Sequence, residues 1–137
     1  MRAQRLVRLS PLHLGLAHVL FALEALIASS ITTGFVRTFV GDVLVIPLLH
    51  CLLRSALDLP PRTSALCVFL FACAIELGQA MQLVHRLGLQ HNTLARIIIG
   101  TSYDPLDFVA YAAGAGLVLL AQRALRGPLT AQGRGLS

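Results

Sequence analysis

The chain has 137 residues, of which 56% are hydrophobic and only 12% charged, with a mean hydropathy of +0.77; a soluble domain carries about 45–50% apolar residues. This excludes an ordinary soluble domain and implies an integral membrane protein, with room for about four spans of ~20 residues joined by short loops. The formal charge of +5 comes from 11 basic residues, all arginine, against six acids, and the arginines gather near helix ends, a pattern of membrane topology and not of a nucleic-acid face.

The first predicted span covers about residues 12–33 and follows Arg2, Arg5 and Arg8. A basic start before an apolar run also fits a signal peptide. Glu24 inside the run, its length and the weak cleavage match at Ala28-Ser29-Ser30 favour a retained helix. Thr32-Thr33-Gly34 ends it with residues that favour turns. The second span, about 41–57, begins at Gly41-Asp42, where Asp42 can cap the first turn, and Pro47 should kink it. Asp58-Leu59-Pro60-Pro61-Arg62 is a stiff connection, because neither proline continues a helix. A third span covers about 63–85. Gln90-His91-Asn92 then opens a short apolar stretch containing Arg96, read as a short interfacial or re-entrant helix. The fourth span, about 105–125, starts at Asp104-Pro105 with an N-cap and a proline at the first helical position. The tail, 127–137, is expected to be disordered. The whole is one all-α membrane domain over 1–137, a polytopic four-helix bundle.

Positive residues in short loops stay in the cytoplasm. Placing both termini there puts Arg2, Arg5, Arg8, Arg54, Arg62, Arg123, Arg126 and Arg134 inside and only Arg37, Arg86 and Arg96 outside. The expected location is a bacterial cytoplasmic membrane, with the lipid bilayer and a small-molecule or lipid-headgroup ligand as the expected partners and no nucleic acid.

Four carboxylates, Glu24, Asp42, Glu76 and Asp107, lie in or at the edges of these apolar runs. An ionisable group at bilayer depth costs roughly 2.5–3.5 kcal/mol on insertion scales, so such groups face a bundle interior or water and are paired. At ~1.5 Å rise per residue, Glu24 and Glu76 stand about 18 and 20 Å from the inner ends of their spans. Glu76 and Gln79 share one helix face, as do Asp104, Asp107, Tyr111 and Gly114. Two facing carboxylates in a low dielectric cannot both ionise cheaply, so a shared proton, an arginine such as Arg37 or Arg96, or a cationic ligand must neutralise them. These residues predict an outward-opening polar pocket that binds a ligand through Glu24, Asp42, Glu76, Gln79, Arg96, Asp107 and Tyr111.

Plainer readings exist for each. Polar side chains in bundles hydrogen-bond across interfaces for about 0.6 kcal/mol on average, and Asp42 and Asp104 taken alone are helix caps. Capping does not explain Glu24 and Glu76. His50 reads as a hydrogen-bonded core histidine, and Arg54 as a snorkelling side chain. Cys51, Cys67 and Cys73 all fall in apolar segments without C-x-x-C spacing and read as small fillers. The small residues Ala110 and Ala112 to Gly116 in the last span would let a neighbouring helix approach. No nucleophile elbow, phosphate loop or zinc helix is present, so no cofactor, metal or conventional hydrolase is indicated; Glu76 or Asp107 could only serve as acid or base.

The ordered set Gly41-Asp42-Val43-Leu44-Val45, Glu76-x-x-Gln79, Gly88-Leu89-Gln90, Leu94-Ala95-Arg96-Ile97-Ile98-Ile99-Gly100-Thr101 and Asp107-x-x-Ala110-Tyr111-x-x-Gly114 resembles an uncharacterised family of small bacterial membrane proteins, domain of unknown function 2809. That family sometimes carries a ribosome-maturation label, yet a chain made almost wholly of spans offers no basic, aromatic-bearing surface for RNA. More distantly, Glu76, Gln79, Arg96, Asp107 and Gly114 look like the VanZ family, associated with glycopeptide resistance. Val43, Ile46 and Tyr111 depart from that pattern, so the resemblance implies a shared pocket and leaves the ligand's identity open. Three function classes follow: a binding protein for a small or lipid-like ligand, a proton-coupled permease component, and a structural or assembly subunit. The sequence does not fix the oligomeric state.

Overall fold

Residues 7–32 and 34–126 are described by the computed structural model. Four long helices, α1 (Pro11–Ser30), α2 (Phe35–Ala56), α3 (Pro61–Ala80) and α6 (Leu106–Arg126), are joined by short connections and by two short helices, α4 (Leu83–Arg86) and α5 (Thr93–Ile98). All four long helices are long and apolar enough to cross a membrane. The fold is all-α, as composition predicts, with α5 as the short helix before the last span; the expectation for the tail, 127–137, lies outside the described residues.

Local sequence sets most of the ends. Pro11 and Pro61 occupy the first helical positions of α1 and α3, where the missing N–H costs nothing. Two boundaries differ from the sequence reading. The second helix starts at Phe35 after Gly34, whose φ of +110° suits a residue without a side chain. Asp42 is therefore two turns inside α2 and is not its cap. The third helix stops at Ala80, because Gln82 adopts a left-handed conformation (φ 52°) and the chain restarts as α4. Pro47 lies inside α2, which continues through it.

At the end where α1 begins and α6 stops, residues before α1 run beside the end of α2: Val7 pairs with Leu57, Arg8 N–H donates to the Ala56 carbonyl at 3.1 Å and Ser10 N–H to that of Ser55 at 2.9 Å. Helix α2 is the hub, packing against α1, α3 and α6. One of its faces joins Ile46 to Val68, Ala72 and Tyr111, while another joins Leu48 and Cys51 to Ala17 of α1. Helix α3 buries Ser64, Val68, Ala72 and Glu76, each four residues after the last, so one stripe faces the core along its whole length. Helix α1 is different: it buries Ala17 alone, and Leu12, Val19, Phe21 and Leu26 stay largely exposed. A helix that packs on one neighbour, α2, and leaves apolar groups open on its other sides suits lipid.

One close approach governs the core. Pro47 has no N–H, so the Val43 carbonyl four residues earlier loses its helical donor. That carbonyl lies against Gly114 of α6, where an added Cβ would collide with it and come within 2.9 Å of Ile46 Cβ. The freed oxygen meets a backbone Cα–H, a weak but favourable contact, and α6 can approach only because position 114 has no side chain. Asp107 and Tyr111 precede Gly114 on the same face, so this contact carries them toward α2.

Candidate functional site

At the end of the bundle opposite the start of α1, three helices deliver carboxyl groups to one place. Glu76 comes from the last turns of α3, Asp42 from α2 and Asp107 from the first turn of α6. Asp107 neighbours both Asp42 and Glu76, and Tyr111, one turn further along α6, lies beside all three. Exposure is graded: Glu76 is 0% exposed, Tyr111 is buried, Asp42 and Asp107 are half-buried, and Asp104 is at the surface.

The two oxygens of Glu76 do different things. Oε1 accepts the Asp104 backbone N–H at 2.8 Å, while Oε2 is buried and has no hydrogen-bond donor. Oδ2 of Asp42 is likewise buried and without one. Gln79, a turn beyond Glu76, donates from Nε2 to the Ile99 carbonyl at 2.6 Å and packs against Gly100, whose φ of +79° turns the chain there. The Glu76-x-x-Gln79 pair thus fastens both ends of the Ile99–Asp104 connection to α3. Asp104 then caps the start of α6, its Oδ1 accepting the Leu106 N–H at 2.9 Å.

Of the seven residues the sequence singles out, Asp42, Glu76, Asp107 and Tyr111 come together. Gln79 adjoins them on α3 but spends its amide on the connection. Glu24 does not join them. It is half-buried on α1, which packs on a different face of α2, and its Oε1 is buried without a partner. Arg96 is exposed on α5, and Arg37 donates to the Thr32 carbonyl at 3.4 Å. Neither arginine forms an ion pair with the carboxyls among the described residues. With no fixed cation in the set among the described residues, the group is neutral only with bound protons or with a cationic guest. No set of three or more His, Cys, Asp or Glu side chains is arranged to hold a metal ion among the described residues.

A polar residue that sequence reasoning undervalued lies near the other end. His50 is 3% exposed and neither ring nitrogen has a partner, contrary to the expectation of a hydrogen-bonded core histidine. Its neighbours are Arg54 and His13, and His13 is taken up by Ser10 Oγ, 2.8 Å from its Nδ1. The four-residue spacing of His50 and Arg54 was the available signal.

The family described as Protein of unknown function (DUF2809) matches residues 31–115, a stretch that contains α2 to α5, the first half of α6 and every member of the carboxyl cluster. No curated protein and no solved structure matches the chain.

Proposed function

The chain belongs to the DUF2809 family, and we propose that it is a multi-pass protein of a bacterial cytoplasmic membrane, termini inside, whose outward carboxyl cluster binds a small or lipid-like ligand through an ammonium or several hydroxyl groups. The observation that carries this reading is Glu76 Oε2, fully buried, without a donor and facing the carboxyl of Asp107. Ionised carboxylates only accept, so a cluster with the Tyr111 hydroxyl as its one standing side-chain donor among the described residues calls for further donors. Asp42, Glu76 and Asp107 would hold the guest, Tyr111 would close the inner wall, and Asp104 would stand at the outer edge. The arginine distribution supports the orientation.

The test is carboxyl modification of the full-length protein in lipid nanodiscs, using a hydrophobic carbodiimide and mass spectrometry. Adduct formation at Glu76, Asp42 or Asp107, slowed by ethanolamine or spermidine, is expected. Labelling that no amine or polyol slows would remove the ligand-binding reading. A second reading, a proton-coupled permease component, draws on the graded exposure from Glu76 to Asp104, which resembles a path for protons. In proteoliposomes, amine flux driven by a pH gradient and lost in Glu76→Gln would favour it over binding alone.

A further inference from the structure

A second site lies at the opposite end of the same helices. Between the start of α3 and the end of α6 is an open cavity of about 780 Å³. Its walls are apolar and include Ala65, Leu66, Phe69, Ala115 and Leu119. Its mouth holds Arg62, Arg123 and Arg126, and no carboxylate lines it among the described residues.

Three features decide what could fill it. Three guanidinium groups around one opening repel one another unless an anion sits between them. Arg62 is the second residue of α3, where the helix dipole disfavours a cation and favours an anion. The walls below the arginines belong to membrane-spanning segments, and Ala65 and Ala115 leave space where larger side chains would close α3 onto α6. A charged mouth above a greasy channel matches a phosphate headgroup above an acyl chain, and basic pockets between helices are recognised sites for anionic lipids. Arginine suits this role because its planar fork can bind phosphate through two hydrogen bonds.

We propose that the α3–α6 groove is a binding site for an anionic phospholipid, with the phosphate held by Arg62, Arg123 and Arg126 and an acyl chain lying along Leu66, Phe69 and Leu119. It is separate from the carboxyl cluster and does not depend on which side of the membrane either end faces.

The experiment uses the full-length protein in phosphatidylcholine nanodiscs doped with phosphatidylglycerol, with native mass spectrometry reading the lipids that stay bound on release. Wild-type protein is expected to retain phosphatidylglycerol in preference to phosphatidylcholine. The double substitution Arg62→Gln, Arg123→Gln should weaken phosphatidylglycerol retention on the order of 30-fold, and Arg37→Gln with Arg86→Gln, at the other end, should not. Ala115→Leu fills the groove without changing charge and should also lose the lipid, which keeps the test decisive if the double variant does not fold. Three outcomes overturn the proposal: equal retention of both lipids, retention of phosphatidylglycerol in either groove variant, or release of the lipid by inorganic phosphate alone, which would mark a free-anion site.

Discussion

The two ends of the α2–α3–α6 core handle polar groups on helices of membrane-spanning length in opposite ways. At the acidic end, side chains turn inward and are fastened to the backbone: Glu76 holds Asp104, Gln79 holds Ile99, and Asp42 and Asp107 close on Glu76. At the arginine end the helices stand apart, and the cationic side chains rim a cavity of about 780 Å³. Side-chain length explains the contrast. A short carboxylate within a helix of spanning length cannot reach a membrane interface and must find partners in the bundle, whereas an arginine near a helix end is long enough to extend to one. Between the two ends lies an uncharged layer, Ile46, Val68, Ala72 and Tyr111, so each set can be perturbed separately.

The largest expected effect comes from the contact that brings the acidic end together. Gly114→Ala puts a methyl group onto the Val43 carbonyl and Ile46 and should cost about 1–3 kcal/mol, read as a lower unfolding midpoint in lipid. Gly116→Ala, with nothing within 4 Å of its added carbon, should leave the midpoint unchanged or slightly raised; equal effects at the two positions would break the distinction.

Next comes Glu76. Ala at this position strands the Asp104 N–H and should cost about 1–3 kcal/mol, whereas Glu76→Gln keeps an oxygen for Asp104 and offers Asp107 a donor. Thermal unfolding should rank wild type and Gln close together and Ala well below. If Ala matched Gln, the bond to Asp104 would carry no weight.

A smaller loss is expected where the connection before α6 is fastened. Gly100→Ala forces a side chain into a left-handed conformation at a cost of roughly 1–2 kcal/mol, and Gln79→Leu forfeits one hydrogen bond, about 1 kcal/mol. Hydrogen exchange should show faster exchange at the Asp104 amide in both, with α1 unaffected. The smallest change belongs to Arg96→Gln, which should stay within about 0.5 kcal/mol because the residue is exposed and has no ion pair among the described residues. A larger shift would place Arg96 back among the carboxyls.

These particulars mark what the sequence could show. The four spans were legible because their apolar runs leave no other solution. The Glu76–Gln79 and Asp107–Tyr111–Gly114 faces were legible because helical spacing of three and four residues fixes a common side. The start of α2 was not, since Arg37 and the threonines near it look like a loop, while the Gly34 conformation that launches the helix carries no apolar signal. Glu24 shows a second limit. Its depth matches that of Glu76, but depth says nothing of rotation or of which neighbour a helix packs against, and α1 lies on the far side of α2 from the cluster. The freed Val43 carbonyl required both Pro47 and the pairing of α2 with α6, which no local pattern supplies.

The most direct test of the convergence at the acidic end is a double-mutant cycle between Asp42→Asn and Asp107→Asn, read by unfolding in nanodiscs and set beside the same cycle for Glu24→Gln and Glu76→Gln. Direct neighbours couple by about 0.5–3 kcal/mol, while separated residues add. Coupling between Asp42 and Asp107 with additivity between Glu24 and Glu76 is the predicted result; additivity at Asp42 and Asp107, or coupling of Glu24 to Glu76, would contradict it.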